Sequence, residues 1–248
     1  MKNLEGKYCI VTGAGKGIGK AIAKRFVEEQ AAGVAILEYD LALAEATAKE
    51  LDPTGKKVIA IKCNVADSEQ VKAAIDQALD AFGRIDVLVN NAGITRDRMF
   101  HNMTDDEWHA VIDVNLNGVY NTCKFVVPMM RNQMSGSIIN ISSTSLMGNP
   151  GQANYAATKA ALQGFTRTVA KELARKNVRM NCVAPAFVDT EMMRAVGEEK
   201  LNAMLGRTPA QRMCDPDEIA SVVAFLATED ASWVSGQTIF ASGGHICS

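Results

Sequence analysis

Short runs of Val and Ile, each followed by a longer amphipathic stretch, constrain this chain more than any other feature. YCIVTG, VAILEY, KVIAIKCNV, IDVLVNNAG, SIINISS, VRMNCVAP and QTIFASGG read as strands. Residues 18–30, 42–51, 69–82, 105–134 and 155–176 between them read as helices. A strand that is apolar along its whole length is buried on both faces. Helices must therefore cover a parallel sheet from either side. The expectation is an α/β, doubly wound parallel sheet of about seven strands, forming one domain over residues 1–248. Pro128 falls inside the 105–134 helix, where a local adjustment is expected. Residues 187–214, irregular and rich in Met, Gly and charge, are expected to form a mobile lid.

Composition narrows the class. The chain is 48% hydrophobic and 22% charged, and its 26 basic and 28 acidic side chains leave a net charge of −2. That balance lacks the basic footprint of a nucleic-acid binder. No apolar run approaches the ~20 residues of a membrane span. MKNLEGKYCIVTGAG runs straight into strand pattern with no signal peptide, so a cytoplasmic protein is expected. Cysteines at 9, 63, 123, 182, 214 and 247 form no C-x-x-C pair and are expected to stay free thiols. His101, His109 and His245 lack ligand spacing, so no metal is expected.

The first strand leads into Thr12-Gly13-Ala14-Gly15-Lys16-Gly17-Ile18-Gly19, which opens the first helix. Glycines there let backbone amides approach a pyrophosphate, and the helix N-terminus adds partial positive charge. Glu38 ends the second strand. A carboxylate at that place accepts hydrogen bonds from ribose hydroxyls and repels a 2′-phosphate, which favours NAD(H). Lys16 pulls towards NADP(H), unless it pairs with Glu38. Two unit charges ~4 Å apart attract by roughly 4 kcal/mol at an effective dielectric of 20, before solvation costs. The acid is the stronger discriminator, so NAD(H) is the expected cofactor and NADP(H) the second choice.

Tyr155 and Lys159 share one face of an alanine-rich helix. A free phenol, with a pKa near 10, is a poor base at neutral pH. A neighbouring ammonium is expected to lower that value and to bind ribose hydroxyls. Such a tyrosine can give a proton to a carbonyl oxygen, or take it back in reverse.

With Thr12-Gly13…Gly17-x-Gly19, Asn90-Asn91-Ala92-Gly93, a serine-ended strand and Tyr155-x-x-x-Lys159 in that order, the whole chain resembles the short-chain dehydrogenase/reductase family. The resemblance implies a Rossmann-type fold and a nicotinamide cofactor. It implies a proton-relay role for Asn115, adenine contact by Asn64 and Val65, and cofactor support from Asn91, Ala92 and Gly93. It also implies contact near the nicotinamide by Pro185, Val188 and Thr190. The catalytic serine falls on Ser143 when the strand is the anchor, and on Ser142 when the spacing is counted back from Tyr155. A one-residue slip reverses side-chain direction on a strand, and the strand anchor favours Ser143. Ala186, where relatives usually carry glycine, is tolerable if its φ is negative.

NNAGITRD and MGNPGQANYAATKA resemble most closely the 3-oxoacyl-[acyl-carrier-protein] reductase branch. That implies reduction of a 3-oxoacyl thioester, on acyl carrier protein or CoA, to the 3-hydroxyacyl thioester. The alternative is an NAD-dependent secondary-alcohol dehydrogenase acting on a steroid, sugar or diol. A non-catalytic cofactor-binding scaffold is more remote, because Tyr155, Lys159 and the serines are all present. Arg131, Arg175, Lys176 and Arg179 are candidates for docking an acidic carrier protein. The resemblance also implies a homotetramer.

Overall fold

The computed structural model describes residues 4–194, 196–206 and 208–246. Residues 1–3, 195, 207, 247 and 248 of the expected domain, Cys247 among them, lie outside that set. In chain order the elements are β1 (Tyr8–Thr12), α1 (Gly17–Glu28), β2 (Gly33–Glu38), α2 (Leu41–Leu51), β3 (Val58–Lys62) and α3 (Ser68–Phe82). They continue with β4 (Val87–Asn90), α4 (Asp105–Ile112), α5 (Gly118–Gln133), β5 (Gly136–Ile141), α6 (Ala153–Leu173) and β6 (Val178–Pro185). The last are α7 (Glu191–Arg194), α8 (Glu198–Leu205), α9 (Pro216–Ala227) and β7 (Thr238–Ala241).

The strands form one seven-stranded sheet in the order β3-β2-β1-β4-β5-β6-β7, with every pairing parallel. Alternate residues feed opposite faces, as the period of a strand requires. Cys9, Val11, Val34 and Ile36 join a core with Ile22 and Phe26 of α1 and Val223 of α9. Ile10, Ala35 and Leu37 join another with Val126 of α5 and Leu162 of α6. The order reverses between β1 and β4, and crevices at the carboxyl ends of such strands are where doubly wound sheets bind ligands.

The segment 187–214, expected to be irregular, carries the short helices α7 and α8, and two longer elements also differ from the sequence expectation. The helix expected over 105–134 is interrupted well before Pro128, by a π-helical turn at Asp113–Asn117 between α4 and α5. The cause lies in Asn115, whose Oδ1 accepts from the Ile94 amide at 2.8 Å and whose Nδ2 donates to the Ile94 carbonyl at 3.0 Å. Pro128 lies inside α5, which runs on to Gln133. Helix α9 has no counterpart in the sequence reading. Its signal is present nonetheless: Asp215 and Glu218 form a capping box, Pro216 sits at the first turn, and Ile219, Val223 and Leu226 are buried.

Candidate active site

A cleft of about 1640 Å³ opens at the carboxyl ends of the strands. That exceeds the ~300–1,000 Å³ of ordinary small-molecule pockets. Along one side it is lined by the glycine turn, Glu38 and Asn64, and on its floor by Asn91, Gly93, Ser143, Tyr155 and Lys159. Ile18, Val65, Ala92, Ser142, Pro185, Val188 and Thr190 also reach it. Thr12, Gly15, Gly19 and Asn115 stand behind the lining.

The turn after β1 has this shape because two of its glycines permit it. Gly13 has φ +63°, and a Cβ there would lie 2.8 Å from the Ala92 Cα. Gly17 has φ +57°, with the methyl of Thr190 3.5 Å from its Cβ position. From behind, Asn91 Nδ2 donates to the carbonyls of Thr12 and Gly13, each at 2.9 Å. The Thr12 hydroxyl accepts from the amides of Asn91 and Ala92, both at 3.0 Å. The Asn64 side chain closes a local turn, accepting from the Ala66 amide at 3.1 Å.

Glu38 takes the Gly15 N–H at 3.1 Å and the Tyr39 N–H at 2.9 Å on its two carboxylate oxygens. Lys16 makes no hydrogen bond to Glu38. Its Nζ lies 2.7 Å from Glu191 Oε2, across the cleft. Thr190, just before Glu191, caps α7 by accepting the Met193 amide at 3.3 Å. Ala186 is not among the residues with positive φ, so alanine fits there without backbone strain.

At the other end, Ser142 and Ser143 separate by direction. Ser142 is buried and its Oγ donates to the Lys159 carbonyl at 2.8 Å, which turns it away from the reacting position. Ser143 faces the Tyr155 phenol and offsets part of the burial that raises its pKa. The expectation that the ammonium lowers the Tyr155 pKa needs correction. Burial pushes it up, and the nearby Asp97 carboxylate adds to the rise. Lys159 is itself pushed down to about 8 by burial. Its Nζ lies 5.4 Å from the Tyr155 ring centre and donates to the Ile141 carbonyl at 2.8 Å.

These residues fit a dinucleotide on their own geometry. A Cβ at Gly13 is excluded by contact, and Lys159 is 3% exposed with the Ile141 carbonyl as its hydrogen-bond acceptor among the described residues. A buried ammonium carries three donors, so such a group suits a ribose diol. Asp97, Gln152 and Glu191 are among the lining residues that escaped the sequence reading. Gln152 Nε2 donates to Asp97 Oδ2 at 2.9 Å, forming a polar rim beside Tyr155. Glu191 is found only through Lys16, a partner 175 residues away with no local signature.

The proposed basic patch is reduced by one. Arg179 donates to the carbonyls of Leu226, Thr228 and Val234, and so secures the end of α9. Arg131 lies in the last turn of α5, and Arg175 and Lys176 follow the end of α6. Within one chain these lie beyond the amino ends of β5 and β6, opposite the cleft.

Comparison with known proteins follows the same lines. The family model described as enoyl-(acyl carrier protein) reductase matches residues 13–245. The 3-oxoacyl-[acyl-carrier-protein] reductase FabG of Thermotoga maritima is 45% identical over 97% of this chain and 98% of its own. The proteins of that name from Staphylococcus aureus and Vibrio harveyi are each 44% identical, over 96% and 98% of this chain and 97% and 98% of their own. Among solved structures, levodione reductase superposes with a TM-score of 0.93 at 31% identity, covering 97% of this chain and 98% of its own.

Proposed function

This chain belongs to the short-chain dehydrogenase/reductase family, and from that premise we propose that it reduces a 3-oxoacyl thioester to the 3-hydroxyacyl thioester. The observation that carries the proposal is the convergence of Ser143, Tyr155 and Lys159 on the cleft floor. A carbonyl oxygen placed there meets two hydroxyls, and that constellation serves C=O reduction. The name enoyl reductase would instead require reduction of a carbon–carbon double bond. Relatives named 3-oxoacyl reductases at 44–45% identity support the carbonyl reading.

When bound, a nicotinamide cofactor supplies the hydride that reaches the carbonyl carbon. Tyr155 gives its phenolic proton to the carbonyl oxygen. Its raised pKa keeps that proton in place until charge develops on the substrate. Ser143 donates a hydrogen bond to the same oxygen and orients the carbonyl. Lys159 would hold ribose hydroxyls and carry positive charge beside the phenol. Asn115 spends its side chain on Ile94, so a relay role for it runs through the main chain of the π-helical turn.

Thr12, Gly13, Gly15, Gly17, Ile18 and Gly19 would cradle the pyrophosphate. Asn64 and Val65 would border the adenine, with Asn91, Ala92 and Gly93 beneath the cofactor and Pro185, Val188 and Thr190 at the nicotinamide. NAD(H) is the preferred form, because Glu38 holds its charge at the ribose end while Lys16 is engaged by Glu191. The segment 187–214 would act as the lid. A homotetramer in the cytoplasm belongs to the same reading. Exposed Trp233 and Phe225 on one side, and Tyr120 on another, support buried interfaces between copies.

The levodione reductase likeness supports a second reading, reduction of a small ketone. Initial rates with acetoacetyl-CoA and with levodione, each with NADH and NADPH, separate the two. Turnover of acetoacetyl-CoA with NADH is the expected result. Turnover of levodione alone would move the assignment to the second reading.

A further inference from the structure

Lys16 is the one cation of the 12–19 turn, and Glu191 opens α7 at the start of the irregular segment. Their side chains are 63% and 78% exposed, yet they meet at 2.7 Å. Glu38 and Asp40 also attract the Lys16 ammonium, though less than Glu191 does. Lys16 therefore lies within the field of the carboxylates that border the ribose end, but its hydrogen bond is made to the far wall. The Thr190 methyl lies 3.5 Å from the Cβ position of Gly17, which sets the start of α7 against the turn. Glu38 has both oxygens on backbone amides and makes no hydrogen bond to Lys16.

We propose that Glu191 is a cofactor-selecting residue: it holds the Lys16 ammonium away from the ribose 2′ position and leaves the charge of Glu38 unopposed there. The proposal rests on the reading that this cleft binds a nicotinamide dinucleotide with its adenosine ribose at Glu38. A 2′-phosphate is a strong competitor for an ammonium. The pair is exposed and screened by solvent, so the restraint is a bias and not a block.

The test is calorimetric binding of NADH and NADPH, without substrate, to the wild-type protein and to E191Q, K16Q and the double variant. Glu191→Gln is expected to lower the ratio of Kd for NADPH to Kd for NADH by about 1.4- to fivefold, the range an exposed pair can supply. Lys16→Gln is expected to raise that ratio, and Glu191→Gln should leave it unchanged when Lys16 is already gone. An unchanged ratio in E191Q overturns the proposal, as does the same shift with and without Lys16. Equal weakening of both cofactors in E191Q would make Glu191 a fastener of the segment only, and also overturns it. Failure of the wild-type protein to bind either cofactor would bring down the cofactor-site reading itself, and this proposal with it. A wild-type preference for NADPH would show that the charge of Glu38 does not select at that position, and would overturn the proposal as well.

Discussion

The Ser142 hydroxyl donates to the main-chain carbonyl of Lys159 at 2.8 Å, and Lys159 Nζ returns a hydrogen bond to the carbonyl of Ile141 at 2.8 Å. This reciprocal stitch fastens the end of β5 to α6, and Ser143, one residue on, turns towards Tyr155. Two adjacent serines should therefore behave differently. Ser143→Ala is expected to cut kcat by about 10²–10³, the usual effect of losing a donor to a developing oxyanion, on top of the modest stability cost of removing the acceptor of the Ser145 amide. Ser142→Ala is expected to cost about 1 kcal/mol of stability in urea unfolding. Equal kinetic damage from both would contradict the assignment.

Tyr155→Phe keeps the ring and removes the proton. Turnover should fall by about 10²–10⁴, the usual share of general acid catalysis, while NADH binding measured by calorimetry is retained. Retained turnover would rule out the proposed proton donor.

Lys159 sets a pH dependence for cofactor binding. In the ligand-free protein, burial holds its pKa near 8, so it is charged below that pH and neutral above it. A dinucleotide with negative charge and ribose hydroxyls favours the ammonium and raises the value. Near pH 8, NADH binding should take up a proton, and affinity should decline as pH rises through 8. Calorimetry in two buffers of different ionisation enthalpy measures the uptake, which Lys159→Met should abolish.

The buried thiols predict lability in alkali. Burial raises Cys63 to about 11 and Cys123 to about 12, against 9.0 for the free group. Each favours the folded state fully below about pH 9, and that contribution is lost as pH rises towards the folded values. The urea midpoint in reducing buffer should drop between pH 8.5 and 10.5, flanking the ordinary thiol range near ~8.5–9. Cys123→Ala should show a smaller drop. A midpoint independent of both pH and the substitution would contradict this account.

How far the sequence could be read follows from the range of each interaction. The strand–helix alternation, the glycine turn, Glu38 and the Tyr155–Lys159 pair are local patterns, set by side-chain period and backbone sterics within a few residues. The interruption at Asp113–Asn117 was not legible, because its cause is a hydrogen-bond pair between Asn115 and Ile94, on a separate loop. Helix α9 carried local signals at Asp215, Pro216 and Glu218, and its absence from the sequence reading has no deeper physical reason.

By itself, the sequence determined a parallel sheet covered on both faces, a glycine-rich turn after its first strand, and a phenol beside an ammonium on one helical face. These depend on periodicity and residue chemistry close along the chain. Only the tertiary structure decided that Ser143 and not Ser142 faces Tyr155, that burial holds the Tyr155 proton tightly, and that the Lys16 hydrogen bond goes to Glu191 and not to Glu38. Each depends on desolvation or on the direction of a side chain towards a distant partner, and both arise only when separate elements pack together.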